Sequence, residues 1–316
     1  MYISIIVCCY NSSFRLPETI KYLANQKVSN DVKWEIIIVD NNSNDNTAEI
    51  AKKEWNKYST LAEYRIVKET KPGLTFARKR GILESKYDVL IFCDDDNSFN
   101  EDYIMESIQF LEKYSHVGIV GGKSIPVYET TPERYFFESN GPNALGCLDL
   151  GNEILITNNQ GLLKEYPTVA PIGTGMAIRK SVALQYLKRL AESNTEITDR
   201  KGDSLSGGGD NEMNIIAILN GWELAYNPRM VLNHIISANR LTIPYLCKMA
   251  EEGSISWVLL LNKYGICPWT PIASWTKELR KIKAYFFYQA WKSPTNKIKW
   301  KGACGIIEGI SNINKL

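Results

Sequence analysis

The chain has 316 residues, 44% apolar and 23% charged, the balance of a folded globular protein rather than a disordered or fibrous one. Lys and Arg number 37 against 35 Asp and Glu, so nothing in the charge marks a nucleic-acid binder, and none is expected as a partner. Seven scattered cysteines with no CxxC pair fit free thiols in a reducing cytoplasm better than a disulfide framework or a zinc site.

The opening "YISIIVCCY" (2–10) reads as a buried strand rather than a signal peptide. A helix follows in "RLPETIKYLANQ", with apolar residues at helical spacing (Leu16, Ile20, Leu23). "WEIIIVD" (34–40) is a second strand, and "NNSNDNTAEIAKKEW" a polar loop opening into a helix. "YRIVKE" (64–69) is a short strand, "TFARKRGILES" (75–85) a helix and "DVLIFCDDD" (88–96) a further strand. The apolar runs are continuous rather than alternating, the mark of strands covered on both faces. Their alternation with helices predicts a doubly wound, mostly parallel α/β sheet with helices on both faces. Residues 121–175, rich in Pro and Gly, read as irregular, and "APIGTGMAIRKSVA" (170–183) as a glycine-rich bend entering a helix. A polar stretch from Ser193 then runs through three glycines to Asp210, Asn211 and Glu212 at the head of an apolar helix. Beyond "NPRMVLNHII" the chain reads as helical and aromatic. The longest apolar run, "ISWVLLLNKYGI", is broken by Asn262 and Lys263 and falls short of the roughly 18 residues of a membrane span.

Three polar clusters follow strand ends: "CCYNSS", "DNNSND" and "DDDN". Each alone is an ordinary turn composition. Together they leave one edge of the sheet, where doubly wound proteins bind ligands. Asp94, Asp95 and Asp96 are adjacent carboxylates that repel one another. They read either as a hard-oxygen site for Mg²⁺ or Mn²⁺ or as a solvated acidic turn. In "GGGDNE" the glycines permit close backbone approach to a ligand. Asp210 there is either a helix cap or a general base that deprotonates an attacking hydroxyl.

The ordered set "ISIIVCCYN", "IIIVDNNSNDNT", "GLTFARKRGI", "LIFCDDDN", "GTGMAIRK" and "GGGDNE" resembles the family-two glycosyltransferases of the GT-A fold, densely from Met1 to about Trp222. The resemblance implies an inverting enzyme that moves a sugar from a nucleoside-diphosphate donor, UDP-linked, to a glycan or lipid-linked acceptor of the cell envelope. A divalent cation on the diphosphate is implied too. It implies a Rossmann-like nucleotide-sugar-binding and catalytic domain over residues 1–240. Residues 241–316 would be a helical, aromatic and basic region packed on it. Position by position, Cys8, Tyr10, Asp40 and Asn41 would form the base-binding rim. Asp94 and Asp95 would face ribose and sugar, and Arg78 would pack behind the acidic cluster. Asp96 and His234 would hold the cation, and Asp210 would be the catalytic base.

Gly209 stands where many relatives carry an acidic residue, and Asn41 where Asp is common; an amide there could still read a pyrimidine N3–H and O4. The Gln-x-x-Arg-Trp signature of processive synthases is absent, which favours single additions. A nucleotidyltransferase of related sheet would carry a Gly-rich basic loop after the first strand; "CCYNSSFR" is not one. A non-catalytic sugar-nucleotide-binding protein would not need both Asp96 and Asp210.

Residues 193–208 are expected to be mobile without ligand and to order over the donor. The segment 275–301 holds eight Lys or Arg against one Glu, with seven aromatics. It reads as a patch for peripheral association with the cytoplasmic face of an anionic membrane, or as an aromatic core with a basic solvated face.

Overall fold

A computed structural model describes residues 1–60, 62–192, 200, 202 and 204–313. Residues 193–199, 201 and 203 of the expected lid lie outside the described residues. The strands are β1 (Ile3–Cys9), β2 (Trp34–Asp40), β3 (Glu63–Lys68), β4 (Val89–Asp94), β5 (Asn97–Phe99), β6 (Val117–Tyr128), β7 (Leu155–Ile156), β8 (Ala177–Arg179) and β9 (Glu223–Ile236). The helices are α1 (Leu16–Ala24), α2 (Thr47–Trp55), α3 (Leu74–Glu84), α4 (Tyr103–Lys113), α5 (Arg134–Glu138), α6 (Gly141–Ala144), α7 (Lys180–Glu192), α8 (Gly209–Leu219), α9 (Ile243–Lys263), α10 (Lys277–Phe287) and α11 (Pro294–Asn312). They fall into two compact units: residues 1–127, 146–193 and 210–235, and residues 128–145, 194–209 and 236–316.

The first unit holds a mixed sheet in the order β3-β2-β1-β4-β8-β6-β9-β5, with β7 on β9. Its longest parallel pairings, β1 with β2, β1 with β4 and β2 with β3, run over six or seven residues each. From β1 the chain winds outward through β2 to β3, then returns to lay β4 on β1's other side. The switch point therefore lies between β1 and β4, where a crevice opens beyond the strand ends. Side chains alternate across β1. Ile3, Ile5, Val7 and Cys9 join a core with α1, α2 and α4. Ile6 faces the other way, against α3: a Cβ on Gly81 would lie 2.2 Å from Ile6 Cγ2, so only glycine allows this helix so near the sheet. The continuous burial of Ile36 to Val39 is what a strand covered on both faces requires.

Strands β5 to β9 have no counterpart in the sequence reading. Residues 121–175 contain most of β6, β8 follows directly, and β9 runs for 14 residues. The glycines taken as signs of irregularity mark close packing instead. A Cβ on Gly122 would fall 1.8 Å from the Met230 carbonyl, so β6 lies against β9 only because residue 122 has no side chain.

In the second unit α11 packs along α9. A Cβ on Gly305 would lie 2.2 Å from the Glu251 carbonyl, and one on Gly309 2.7 Å from Val258. Helix α10 is held to α11 by Lys277 and Lys281, which bond Glu308 at 2.8 and 2.7 Å. The Trp300 indole N–H also donates to the Lys281 carbonyl at 3.1 Å. Burial alone would raise the Glu308 carboxyl, but the two lysines more than offset it and bring it down to about 2. Among the described residues no helix is long and apolar enough to cross a membrane.

Candidate active site

The loops after β1 and β2 are sewn together at the switch point. The Ser12 amide donates to Thr47 Oγ1 at 2.8 Å and the Asn44 amide to Asn11 Oδ1 at 2.8 Å. Asn11 and Asn42 both adopt left-handed backbone (φ 51° and 59°), a conformation asparagine tolerates better than most residues. Tyr10 is exposed, while Cys8 and Asp40 are half-buried. Asp40 accepts from the Ser43 amide at 3.1 Å. Asn41 is buried with both ends of its amide engaged: Nδ2 donates to the Lys71 carbonyl at 2.7 Å, and Oδ1 accepts from Gly73 N–H at 2.8 Å. Its amide therefore braces the 69–73 loop in front of α3.

The three aspartates point in three directions. Asp94 Oδ2 accepts from the Thr174 hydroxyl at 2.9 Å. Asp95 turns toward α1, where the Ser12 hydroxyl donates to it and Arg15 Nη2 lies at 2.8 Å. Burial, then repulsion from Asp96, pushes the Asp95 carboxyl up against the opposing pull of Arg15 and Ser12. Asp96 Oδ1 lies 3.5 Å from His234 Nε2, and both side chains are almost fully buried. The backbone arranges this meeting, because β5 pairs antiparallel to β9 with Asn97 opposite His234. The Ile235 amide also donates to the Asp96 carbonyl at 2.9 Å. Behind the loop, burial first and the neighbouring carboxylates second hold the Cys9 and Cys93 thiols far above their usual range, so neither is a nucleophile.

Asp210 occupies the first turn of α8. Its Oδ2 accepts from Gly173 N–H at 2.8 Å and its Oδ1 from Asn211 N–H at 2.9 Å. The helix start is fixed by Tyr166, whose hydroxyl donates to Asn211 Oδ1 at 2.6 Å, and by Asn214, which donates to the Pro171 carbonyl at 2.7 Å. Burial, then the Asp210 charge, pushes the Tyr166 phenol up, which keeps it a neutral donor.

Gly173 and Thr174 are the hub of the site. Successive residues, with Cα atoms ~3.8 Å apart, anchor Asp210 and Asp94 respectively. A Cβ on Gly173 would lie 2.5 Å from Arg78 Nη2 and 3.1 Å from Asp210 Oδ2, so both side chains occupy the space a larger residue here would need. Arg78 is buried, with its guanidinium over the Phe92 ring. Thr174 Oγ1 and His234 Cε1 both border the Cβ position of Gly146, whose φ of +74° favours glycine.

Asp94, Arg78 and Asp210 thus meet at residues 173–174, Asp96 meets His234, Asp95 turns aside to Ser12 and Arg15, and Cys8 is paired beside Asp94 in the sheet. Tyr10, Asp40 and Asn41 stand at the neighbouring strand ends. Sequence reasoning passed over Ser12, Arg15, Tyr166, Gly173 and Thr174. Of these only Gly173 and Thr174 carried a signal, the "GTG" of the glycine-rich bend.

The donor set fits a divalent cation. A carboxylate and an imidazole converge at Asp96 and His234, and hard cations on phosphate substrates take one or two protein carboxylates plus phosphate oxygens. Among the described residues no three His, Cys, Asp or Glu side chains group into a cage, so phosphate oxygens and water would complete the shell.

Among curated relatives, a cholesterol galactosyltransferase of Borreliella burgdorferi is 35% identical over 96 residues, 30% of this chain and 25% of that protein. A dolichyl-phosphate beta-glucosyltransferase of Dictyostelium discoideum is 35% identical over 131 residues, 39% of each chain. The chain spans from a quarter to under half the length of the curated relatives matched first. Among solved structures, Staphylococcus aureus TarS 1-349 in complex with UDP superposes with a TM-score of 0.53 at 15% identity, covering 100% of this chain and 90% of that one. The mannosyltransferase PcManGT of Pyrobaculum calidifontis, in complex with GDP-Man and Mn²⁺, gives 0.56 at 16% identity over 96% and 73%. These neighbours share the GT-A fold. The family model "Glycosyl transferase family 2" matches residues 4–187, more than half of the chain, and the protein is a member of that family.

Proposed function

We propose that this chain is an inverting transferase that moves a sugar from a UDP-linked donor to a hydroxyl of a glycan or lipid-linked acceptor at the cytoplasmic side of a membrane. The observation that carries the reading is the Gly173–Thr174 hub, which holds a carboxylate at a helix start beside the acidic strand-end loop. Asp210 takes the proton of the acceptor hydroxyl as its oxygen bonds the anomeric carbon. The bond from that carbon to the diphosphate breaks, and the diphosphate leaves with the electron pair on the opposite face. Displacement from the far side inverts the anomeric centre.

Asp94, oriented by Thr174, is positioned to accept from a ribose or sugar hydroxyl. Asp95 holds the acidic loop to α1 through Arg15 and Ser12. Asp96 and His234 would hold Mn²⁺ or Mg²⁺, which when bound neutralises charge developing on the departing diphosphate. With the Asn41 amide engaged by the loop, base reading falls to the Asp40 carboxylate, which can accept a uracil N3–H, and to the chain at Cys8 and Tyr10. The names of the relatives support a lipid or lipid-linked acceptor, since cholesterol and dolichyl phosphate are among their substrates.

The test is a screen of nucleotide sugars for release of nucleoside diphosphate, with and without Mn²⁺, on the native chain and on Asp210→Asn. Cation-dependent release from one UDP-sugar, lost in the variant, is the expected result. Release from none of the donors, with folded protein and each acceptor class present, refutes the reading.

A further inference from the structure

Helix α10 has eleven residues and none of them is buried. Helices in folded proteins normally cover one apolar stripe against a core. The face of α10 turned to α11 is polar and aromatic: Lys277 and Lys281 reach Glu308, and the Tyr285 ring meets Trp300 edge-on at 5.1 Å. Away from that face Leu279, Ile282 and Phe286 recur at spacings of three and four, so they form one stripe. Trp275 precedes the stripe, and Phe287 and Trp291 follow it. All six are between 53% and 80% exposed. The alternative of an aromatic core describes Tyr285 and Trp300; Phe286 and Trp291 touch the edge of that cluster at Tyr285 while staying more than half exposed.

The charges beside this stripe are mostly basic; the exception is Glu278, one turn before Ile282, exposed and 3.3 Å from Lys281. Lys277, Lys281 and Lys301 are turned inward, the last onto Glu251 at 2.8 Å. Arg280 and Lys283 are exposed on α10 itself, and Lys292, Lys297 and Lys299 are exposed just beyond it. Glu278 is the one acid between residues 275 and 301. A second copy of the chain would bring this same positive rim against itself across a symmetric contact. An anionic bilayer complements it. Apolar side chains on one face, basic residues at the rim and tryptophans at both ends form the pattern of a helix that lies in the lipid headgroup layer.

We propose that the α10 stripe is a membrane-docking surface that lies in the plane of a bilayer containing anionic lipid. Leu279, Ile282 and Phe286 enter the acyl boundary, Trp275 and Trp291 sit at headgroup level, and Arg280 and Lys283 meet lipid phosphates. The binding needs neither donor nor acceptor, so its failure and the failure of the transferase reading are separable.

The experiment is co-sedimentation of the full chain with phosphatidylcholine vesicles, with and without phosphatidylglycerol. The native chain, Leu279→Ser/Ile282→Ser/Phe286→Ser and Arg280→Gln/Lys283→Gln are compared. These positions are exposed, so melting temperatures should match and confirm folding. The native chain is expected to sediment with anionic vesicles, with a blue shift in tryptophan emission and weaker binding at high salt. Each variant should bind by roughly tenfold less or weaker still. Native-like binding by the serine variant overturns the proposal, as does absence of native binding. A native dimer in light scattering that the serine variant abolishes, without vesicle binding, overturns it too and assigns the stripe to a second copy.

Discussion

Replacing Asp210 by asparagine tests the proposed chemistry with little change of shape. Two backbone N–H groups point at the native carboxylate, from Gly173 at 2.8 Å and Asn211 at 2.9 Å. An amide can accept through one oxygen only, so its NH₂ must face one of these donors. The structural cost is about one charge-assisted hydrogen bond, on the order of 1 to 3 kcal/mol. For a unit of this size each kcal/mol lowers Tm by about 2 to 4 °C. The chemical loss should be larger. General-base catalysis contributes ~10² to 10⁴-fold, roughly 3 to 5 kcal/mol of barrier. Melting temperature, UDP affinity by calorimetry and UDP release per folded molecule are measured on one preparation. The expected result is a modest fall in Tm, nearly native UDP affinity and a loss of turnover of at least ~10²-fold. Near-native turnover would refute the assignment. The next carboxylate on the helix, Glu212, is fully buried, whereas Asp210 is partly exposed, so Glu212 would be a poor heir to the role.

Gly173→Ala puts a methyl group 2.5 Å from Arg78 Nη2 and 3.1 Å from Asp210 Oδ2. Turnover should fall ~10 to 10²-fold through misplacement of the carboxylate, and unchanged turnover would show that the hub tolerates displacement. In Asp96→Ala, the gain in UDP affinity on adding Mn²⁺ should vanish; equal affinity with and without Mn²⁺ in both proteins removes the cation from the site. Glu308 supplies a pH test. Its folded carboxyl lies at about 2 against an ordinary 4.5, so the stability it contributes is present above 4.5 and lost as pH falls toward 2. Glu308→Gln should melt below the native chain at neutral pH by the equivalent of roughly 2 to 3 kcal/mol, and the gap should close by about pH 2. A gap that is independent of pH rules out the ion-pair account.

The first four strands and three helices were legible because each obeys a local rule. Parallel strands buried on both faces read as unbroken apolar runs, and α1 shows its helical period in Leu16, Ile20 and Leu23. The acidic loop and Asp210 were legible too, since clustered like charges and a carboxylate after three glycines are costly arrangements that call for a reason. Strands β6, β8 and β9 were not. Their glycines look like loop punctuation until Gly122 is seen against the Met230 carbonyl.

The roles within the site divide along the same line. Sequence alone put Asp94, Asp95 and Asp96 at a strand end, because adjacency in the chain guarantees adjacency in space. It could not say that Asp95 turns away to Arg15, that Asn41 is engaged by the 69–73 loop, or that α10 keeps its apolar stripe outward. Residue patterns by themselves could not bring His234 to Asp96, a meeting that only the family resemblance implied, nor Asp210 to Gly173. Those meetings depend on β5 pairing with β9 and on α8 docking against the 166–174 segment, contacts between residues far apart in the chain. A residue's type and its near neighbours determine what chemistry it can do. Which partner it meets is decided by long-range pairing and packing, which leave no periodic trace in the local sequence.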